Sequence, residues 1–157
     1  MAQRETQRET KSSDDMDVSE SAAKFDRIRK AHQSEVAEDY VELIADLIDE
    51  NGEARTVDLA ARFGVTSPTV NAIVQRLVRE DLVETKPYRS IFLTDAGRAL
   101  AEASRKRHKI VYDFLVSIGV PAQIAEEDAE GVEHHVSPET LAVFESITQS
   151  SLGWAVA

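Results

Sequence analysis

The 157 residues suffice for one domain of ordinary size or two small ones, and the absence of cysteine excludes disulfides, thiol catalysis and thiolate metal sites. No apolar run approaches the roughly 20 residues a bilayer span needs, and the polar stretch from Met1 to Asp17 lacks the centre of a secretory signal, so a cytoplasmic chain without a membrane partner is expected. A net charge of −11 argues against phosphate binding until its distribution is read: residues 1–54 carry −8, residues 55–109 carry +5, and the remainder carries −8 with no Lys or Arg.

In chain order, residues 1 to about 20 repeat Gln-Arg-Glu-Thr twice and offer nothing to bury, so an arm over 1–24 is expected to be disordered. A helix can open near Ser21. By Val36 its pattern is plain, with Tyr40, Leu43, Ile44, Leu47 and Ile48 at helical spacing and Asn51-Gly52 as its end. Asp39, Glu42 and Asp46 form an acidic stripe beside that face. Like charges so placed repel unless a cation sits between them, although a solvated flank gives the same pattern.

Short helices follow. Thr56 is expected to cap one carrying Val57, Leu59, Ala60 and Phe63, which Gly64 breaks. Ser67-Pro68 is expected to open another, with Ser67 as cap, Val70, Ile73, Val74, Leu77 and Val78 inward, and Thr69, Asn71, Gln75, Arg76 and Arg79 outward. Helix, glycine turn and helix make a helix-turn-helix whose second helix can enter a major groove. Leu82–Thr85 and Ser90–Leu93 read as strands around the turn Lys86-Pro87-Tyr88-Arg89, a wing with basic and aromatic residues at its tip.

Thr94 caps a long helix to about Ser117, on which the bases Arg105, Lys106, Arg107 and Lys109 surround His108. Gly119-Val120-Pro121 breaks it, a further helix opens at Ala122, and Ser137-Pro138 starts the last, with Leu141, Val143, Phe144 and Ile147. Two short amphipathic helices cannot close a core alone, so they are expected to pack on the long helix and on a symmetry mate, giving a homodimer. The terminus, 150–157, is expected to fray. On the helix from Ala122, which is expected to run up to His134-His135, Glu130, Glu133 and His134 project from one face into a space small enough for a divalent cation, one wall of a site and not a whole one, although an exposed acidic face gives the same pattern.

Four features in order, Glu38-Asp39-Tyr40-Val41-Glu42, the winged helix-turn-helix, Arg107-His108 and Asp128-Ala129-Glu130-Gly131-Val132-Glu133-His134-His135, resemble the diphtheria-toxin-repressor class of metal-dependent repressors, and within it the manganese-transport regulator branch. The resemblance spans about Ser34 to Phe144. It implies a mainly α fold: a winged helix-turn-helix domain over 25–97, then an all-helical metal-binding and dimerisation domain over 98–149. It further implies that Asp39, Glu42, His108, Glu130 and Glu133 hold one ion, and that a second shares Glu42 and Glu133 and adds His134 and the Glu130 carbonyl. His135 and Asp46 match no ligand position. The iron-sensing branch carries Met and Cys where this chain has carboxylates, and oxygen with limited imidazole suits Mn²⁺, at two ions per subunit.

The implied function is Mn²⁺-dependent binding of double-stranded operator DNA and repression of manganese-uptake genes. Ser67, Thr69 and Asn71 are assigned to bases or nearby phosphates, and Arg55, Arg76, Lys86 and Arg89 to backbone charge. Alternatives are a winged-helix regulator answering to iron, to another divalent metal or to an organic ligand. A carboxylate-bridged dimetal hydrolase would leave the winged helix without a role, and HExxH is absent, so no enzyme is expected.

Overall fold

The computed structural model describes residues 2–87 and 90–154, with side chains described over 18–87 and 90–150. Helix α1 spans Ala2–Asn51, and the chain divides into two compact units, Met1–Glu35 and Val36–Ala157. The helix thus begins well before Ser21, and the stretch expected as an unstructured arm falls within it. No Gly or Pro precedes Gly52, so nothing local stops the helix. In the first unit Val18, Phe25 and Ile28 are exposed, and Asp26 pairs with Lys30 at 2.8 Å and with Arg29 at 3.4 Å.

Within the second unit, α1 ends at Gly52, whose φ of +78° suits glycine and whose N–H reaches the Ile48 carbonyl at 2.8 Å. Strand β1 (Ala54–Arg55) leads into α2 (Thr56–Phe63) and α3 (Ser67–Arg79). Strands β2 (Val83–Lys86) and β3 (Ser90–Leu93) follow, in the antiparallel order β1-β3-β2, with Ala54 opposite Ile91 and Val83 opposite Leu93. Two residues make β1 too short to announce itself by alternation, which is why sequence reading misses it. This is the expected winged helix-turn-helix. Its core takes Val41, Ile44 and Leu47 from α1, Leu59 from α2, Val70, Val74 and Leu77 from α3, and Val83, Ile91 and Leu93 from the sheet. Full burial of each large side chain contributes roughly 1.5–3 kcal/mol.

Two caps differ from expectation by one residue. Arg55, not Thr56, holds the N-cap of α2, and the Thr56 hydroxyl instead donates to Asn71 Oδ1 at 3.2 Å, joining α2 to α3. Thr66, not Ser67, caps α3, accepting from the Thr69 N–H at 3.4 Å. Ser and Thr stand side by side there, and spacing does not say which turns back. Strand β2 likewise sits one residue later than expected. Tyr88 and Arg89 of the wing tip lie outside the described residues.

Helix α4 (Asp95–Ser117) starts as expected, with Thr94 Oγ1 accepting from the Gly97 N–H at 3.0 Å and donating to the Asp81 carbonyl at 2.6 Å. A Cβ at Gly97 would stand 1.9 Å from the Leu82 carbonyl oxygen, so only glycine lets the helix approach the wing this closely. Helices α5 (Ala122–Val132) and α6 (Pro138–Trp154) pack on α4; Ala125 and Ala129 of α5 and Val111 of α4 are buried, and Phe114 of α4 stacks on Phe144 of α6 at 3.9 Å. α6 runs to Trp154, into the stretch expected to fray, and 155–157 lie outside the described residues. No helix among the described residues is long and apolar enough to cross a membrane.

Candidate metal centre and DNA-reading face

Three pieces of backbone bring the acidic and imidazole groups together. On α1, Asp39 and Glu42 flank Tyr40, whose ring is buried and stacked on Phe63 of α2 at 4.4 Å, so these carboxylates are mechanically tied to the helix-turn-helix. On α4, His108 lies one turn from buried Ser104 and three residues from buried Val111. On α5, Ala125 and Ala129 face α4. Glu126 and Glu130 follow each by one position, and Glu133 continues their row because it keeps helical angles (φ −56°, ψ −35°) just past Val132.

Glu133 is the centre of the arrangement. Its Oε2 lies 2.8 Å from His108 Nδ1, and its Oε1 lies 3.5 Å from His134 Nε2. His134 Nε2 also faces Asp39 Oδ1 at 3.2 Å, and its Nδ1 faces Glu38 Oε2 at 2.7 Å. His108 Nδ1 stands 3.5 Å from Glu130 Oε1, and its Nε2 stands 3.2 Å from Glu126 Oε1. Among the described residues His108, Glu126 and Glu130 offer one donor atom each within 4.8 Å of one another. All six predicted ligands therefore fall in one neighbourhood, with Glu42 close enough to be felt by both Glu130 and Glu133.

The electrostatics are those of a site short of positive charge. Burial is the main reason the Glu133 carboxyl is pushed up to about 8, with Glu42 and Glu130 adding to the rise and His108 opposing it. Burial also raises Glu42, eased by the Ser104 hydroxyl and worsened by Glu130 and Asp39. Glu133 is only 1% exposed, and its Oε2 makes no aligned hydrogen bond despite its closeness to His108. A buried carboxylate oxygen left in this state is costly unless a cation or proton meets it. Oxygen and imidazole donors of this kind suit a hard or borderline divalent cation, so the residues present fit such an ion.

Sequence reasoning passed over two further participants. Glu38 accepts from Arg107 Nη2 at 2.5 Å, and Glu126 lies beside His108; the signal for Glu126 was its four-residue step before Glu130, whereas Glu38 had none of its own. Asp46 and His135 stay outside: Asp46 pairs with Arg105, and the His135 ring meets that of His134 edge-on at 6.4 Å.

On the reading face, Thr69 and Asn71 are exposed near the start of α3 and Ser67 is half-buried. Arg55 pairs with Glu53 at 2.5 Å, Arg76 lies 3.4 Å from Glu80, and Lys86 sits over the Phe92 ring at 4.6 Å. Arg89 lies outside the described residues.

Residues 32–91 match the family described as "Iron dependent repressor, N-terminal DNA binding domain", and residues 94–149 match its "metal binding and dimerisation domain". The chain is 54% identical over 125 residues to "Transcriptional regulator MntR" of Escherichia coli O157:H7, covering 80% of this chain and 81% of that one. It is 51% identical over 134 residues to the protein of the same name from Salmonella typhi, covering 85% of each. Among solved structures it resembles a "Manganese-dependent transcriptional repressor complex with manganese" at 30% identity and TM-score 0.62, over 72% of this chain and 52% of that one. It also resembles the "manganese regulator SloR" at 26% identity and TM-score 0.63, over 72% of this chain and 53% of that one. The chain thus spans about half the length of these solved relatives. With a winged helix-turn-helix, a cluster of carboxylates and imidazoles beside it and these matches over most of its length, the chain belongs to the iron-dependent repressor family of metal-responsive, DNA-binding transcriptional regulators.

Proposed function

We propose that this family member is a manganese-responsive repressor that acts as a homodimer in the cytoplasm, binds double-stranded operator DNA when loaded, and turns down manganese-uptake genes. The observation that carries the reading is the meeting on Glu133 of imidazoles from two elements, His108 of α4 and His134 after α5, with Asp39 of α1 at the second of them. The manganese named in the two solved relatives supports the choice of metal, as does an all oxygen and imidazole donor set. Asp39, Glu42, His108, Glu130, Glu133 and His134 are the proposed ligands, for two ions per subunit. The proposed division is a reading head over 25–97 and a metal-binding and dimerisation region over 98–149, with 1–24 and 150–157 as extensions.

When bound, Mn²⁺ would supply positive charge that these carboxylates share. Asp39 and Glu42 belong to the helix whose Val41, Ile44 and Leu47 fill the head's core, so holding those two carboxylates holds the head. Glu130, Glu133 and His134 belong to the region proposed to pair with a second copy. Fixing one set against the other sets two heads at a separation that can match successive major grooves, about 34 Å. Moving such an equilibrium from mostly open to mostly closed takes roughly 5 kcal/mol of differential binding, within reach of a multidentate site. On the DNA, Ser67, Thr69 and Asn71 would read bases or nearby phosphates, and Arg55, Arg76, Lys86 and Arg89 would meet the backbone.

The test is a titration of operator binding with Mn²⁺, Fe²⁺, Zn²⁺ and Co²⁺ for the native chain and for Glu133→Ala. The variant should stay a folded dimer and lose the Mn²⁺ response. Normal operator binding by Glu133→Ala in added Mn²⁺ would refute the mechanism.

A further inference from the structure

Glu38 has no place among the proposed ligands, yet it is 8% exposed and engaged on two sides. Its Oε2 accepts from Arg107 Nη2 at 2.5 Å and stands 2.7 Å from His134 Nδ1. The His134 side chain is itself 3% exposed and turns its other nitrogen, Nε2, to Asp39 Oδ1 at 3.2 Å and Glu133 Oε1 at 3.5 Å. Consecutive residues of one helix point about 100° apart, so Glu38 and Asp39 reach the same ring from opposite nitrogens.

A neutral imidazole has one N–H and one lone pair, so the task of one nitrogen decides that of the other. Glu38, as a carboxylate already accepting from Arg107, can only accept from the ring. A proton on Nδ1 satisfies it and leaves the Nε2 lone pair aimed between Asp39 and Glu133. We propose that Glu38, anchored by Arg107, is a positioning residue for the cation site, fixing the tautomer and the ring plane of His134. The inference rests on the reading of His134 as a ligand. Its three members come from α1, α4 and the segment after α5, the same three pieces that carry the proposed ligands. Partners of this kind, one bond removed from a metal, generally govern affinity by about 10- to 100-fold.

The test uses the full chain with ¹⁵N-labelled histidine, loaded with ¹¹³Cd²⁺ as a diamagnetic probe, together with Mn²⁺ titrations followed by the electron paramagnetic resonance of free Mn²⁺. The expected spectrum shows cadmium coupling at His134 Nε2 and a proton on Nδ1. Glu38→Ala should lose that fixed Nδ1 proton and bind Mn²⁺ about 10- to 100-fold more weakly, while Glu38→Gln, which keeps an accepting oxygen, recovers much of the loss. Cadmium coupling at Nδ1 overturns the proposal, as does wild-type Mn²⁺ affinity in Glu38→Ala. Should Glu38→Ala fail to fold, the native spectrum decides alone. Coupling at neither nitrogen of His134 removes the ligand reading beneath the proposal, a result distinct from coupling at the wrong one.

Discussion

The winged-helix region and the α4–α6 region solve the problem of stability in different ways. In the first, Ile44, Leu47, Leu59, Leu77 and Ile91 close an apolar core in which nearly every buried group is hydrocarbon. In the second, the buried hydrocarbon is small, mainly Val111, Ala125 and Ala129, while Ile118, Ile124, Val132, Val143 and Ile147 remain exposed and Glu133 is enclosed. A head of the first kind holds itself together chiefly by apolar burial. A region of the second kind has unmet requirements of two sorts, apolar surface that a second copy can cover and carboxylates that a cation can neutralise. Stability withheld in this way is what makes a region responsive, because whatever meets the requirement shifts the population.

The sharpest way to break the contrast is in the head. Leu77→Ala should lower stability by about 2–5 kcal/mol in urea unfolding without added metal. A loss well under 1 kcal/mol would mean that the head does not stand on its own core.

A charge-only change at the other pole comes next. With the Glu133 carboxyl raised to about 8 against an ordinary value near 4.5, the folded chain holds this proton more tightly than the unfolded one. The associated stability is fully present below about 4.5 and is lost as pH rises through about 8. The urea midpoint of the metal-free native chain should therefore fall between pH 5 and 8.5, and Glu133→Gln should flatten that slope. For the same reason Mn²⁺ must displace a proton, so apparent affinity should climb over this range in the native chain. An equal slope in Glu133→Gln would assign the dependence elsewhere.

The smallest effect is expected at the surface. Arg105 pairs with Asp46 and Asp49, all well exposed, and Arg105→Ala should cost less than about 1 kcal/mol, an effect that added salt erases. A larger loss would show that exposed charge matters here as much as enclosed charge.

Much of this was legible in the residue order because much of it is local. Gly52 and Gly64 at helix ends, Thr94 as a cap and the helical spacing of Val70, Val74 and Leu77 each reflect contacts within a few positions, so spacing alone reveals them. The acidic stripe on α1 and the three-residue step from Glu130 to Glu133 were visible for the same reason, whereas Glu126, one turn earlier, was passed over. The shift of two caps by one residue, to Arg55 and Thr66, reflects backbone angles and, at Thr66, a hydroxyl turned back to the Thr69 N–H, which spacing does not resolve, and the strand pairing of Ala54 with Ile91 joins residues far apart in the chain.

What the amino-acid order determined by itself is therefore the set of elements, their polar and apolar faces, and an inventory of oxygen and imidazole donors without sulfur. The tertiary structure alone decided which of those donors meet. That Glu38 meets His134 across 96 positions, that Glu126 lies against His108, and that Glu133 is enclosed while Glu130 stays in solvent all follow from how three pieces pack. Periodicity places a side chain on a face of its own helix, but burial and pairing depend on what the packing sets opposite that face.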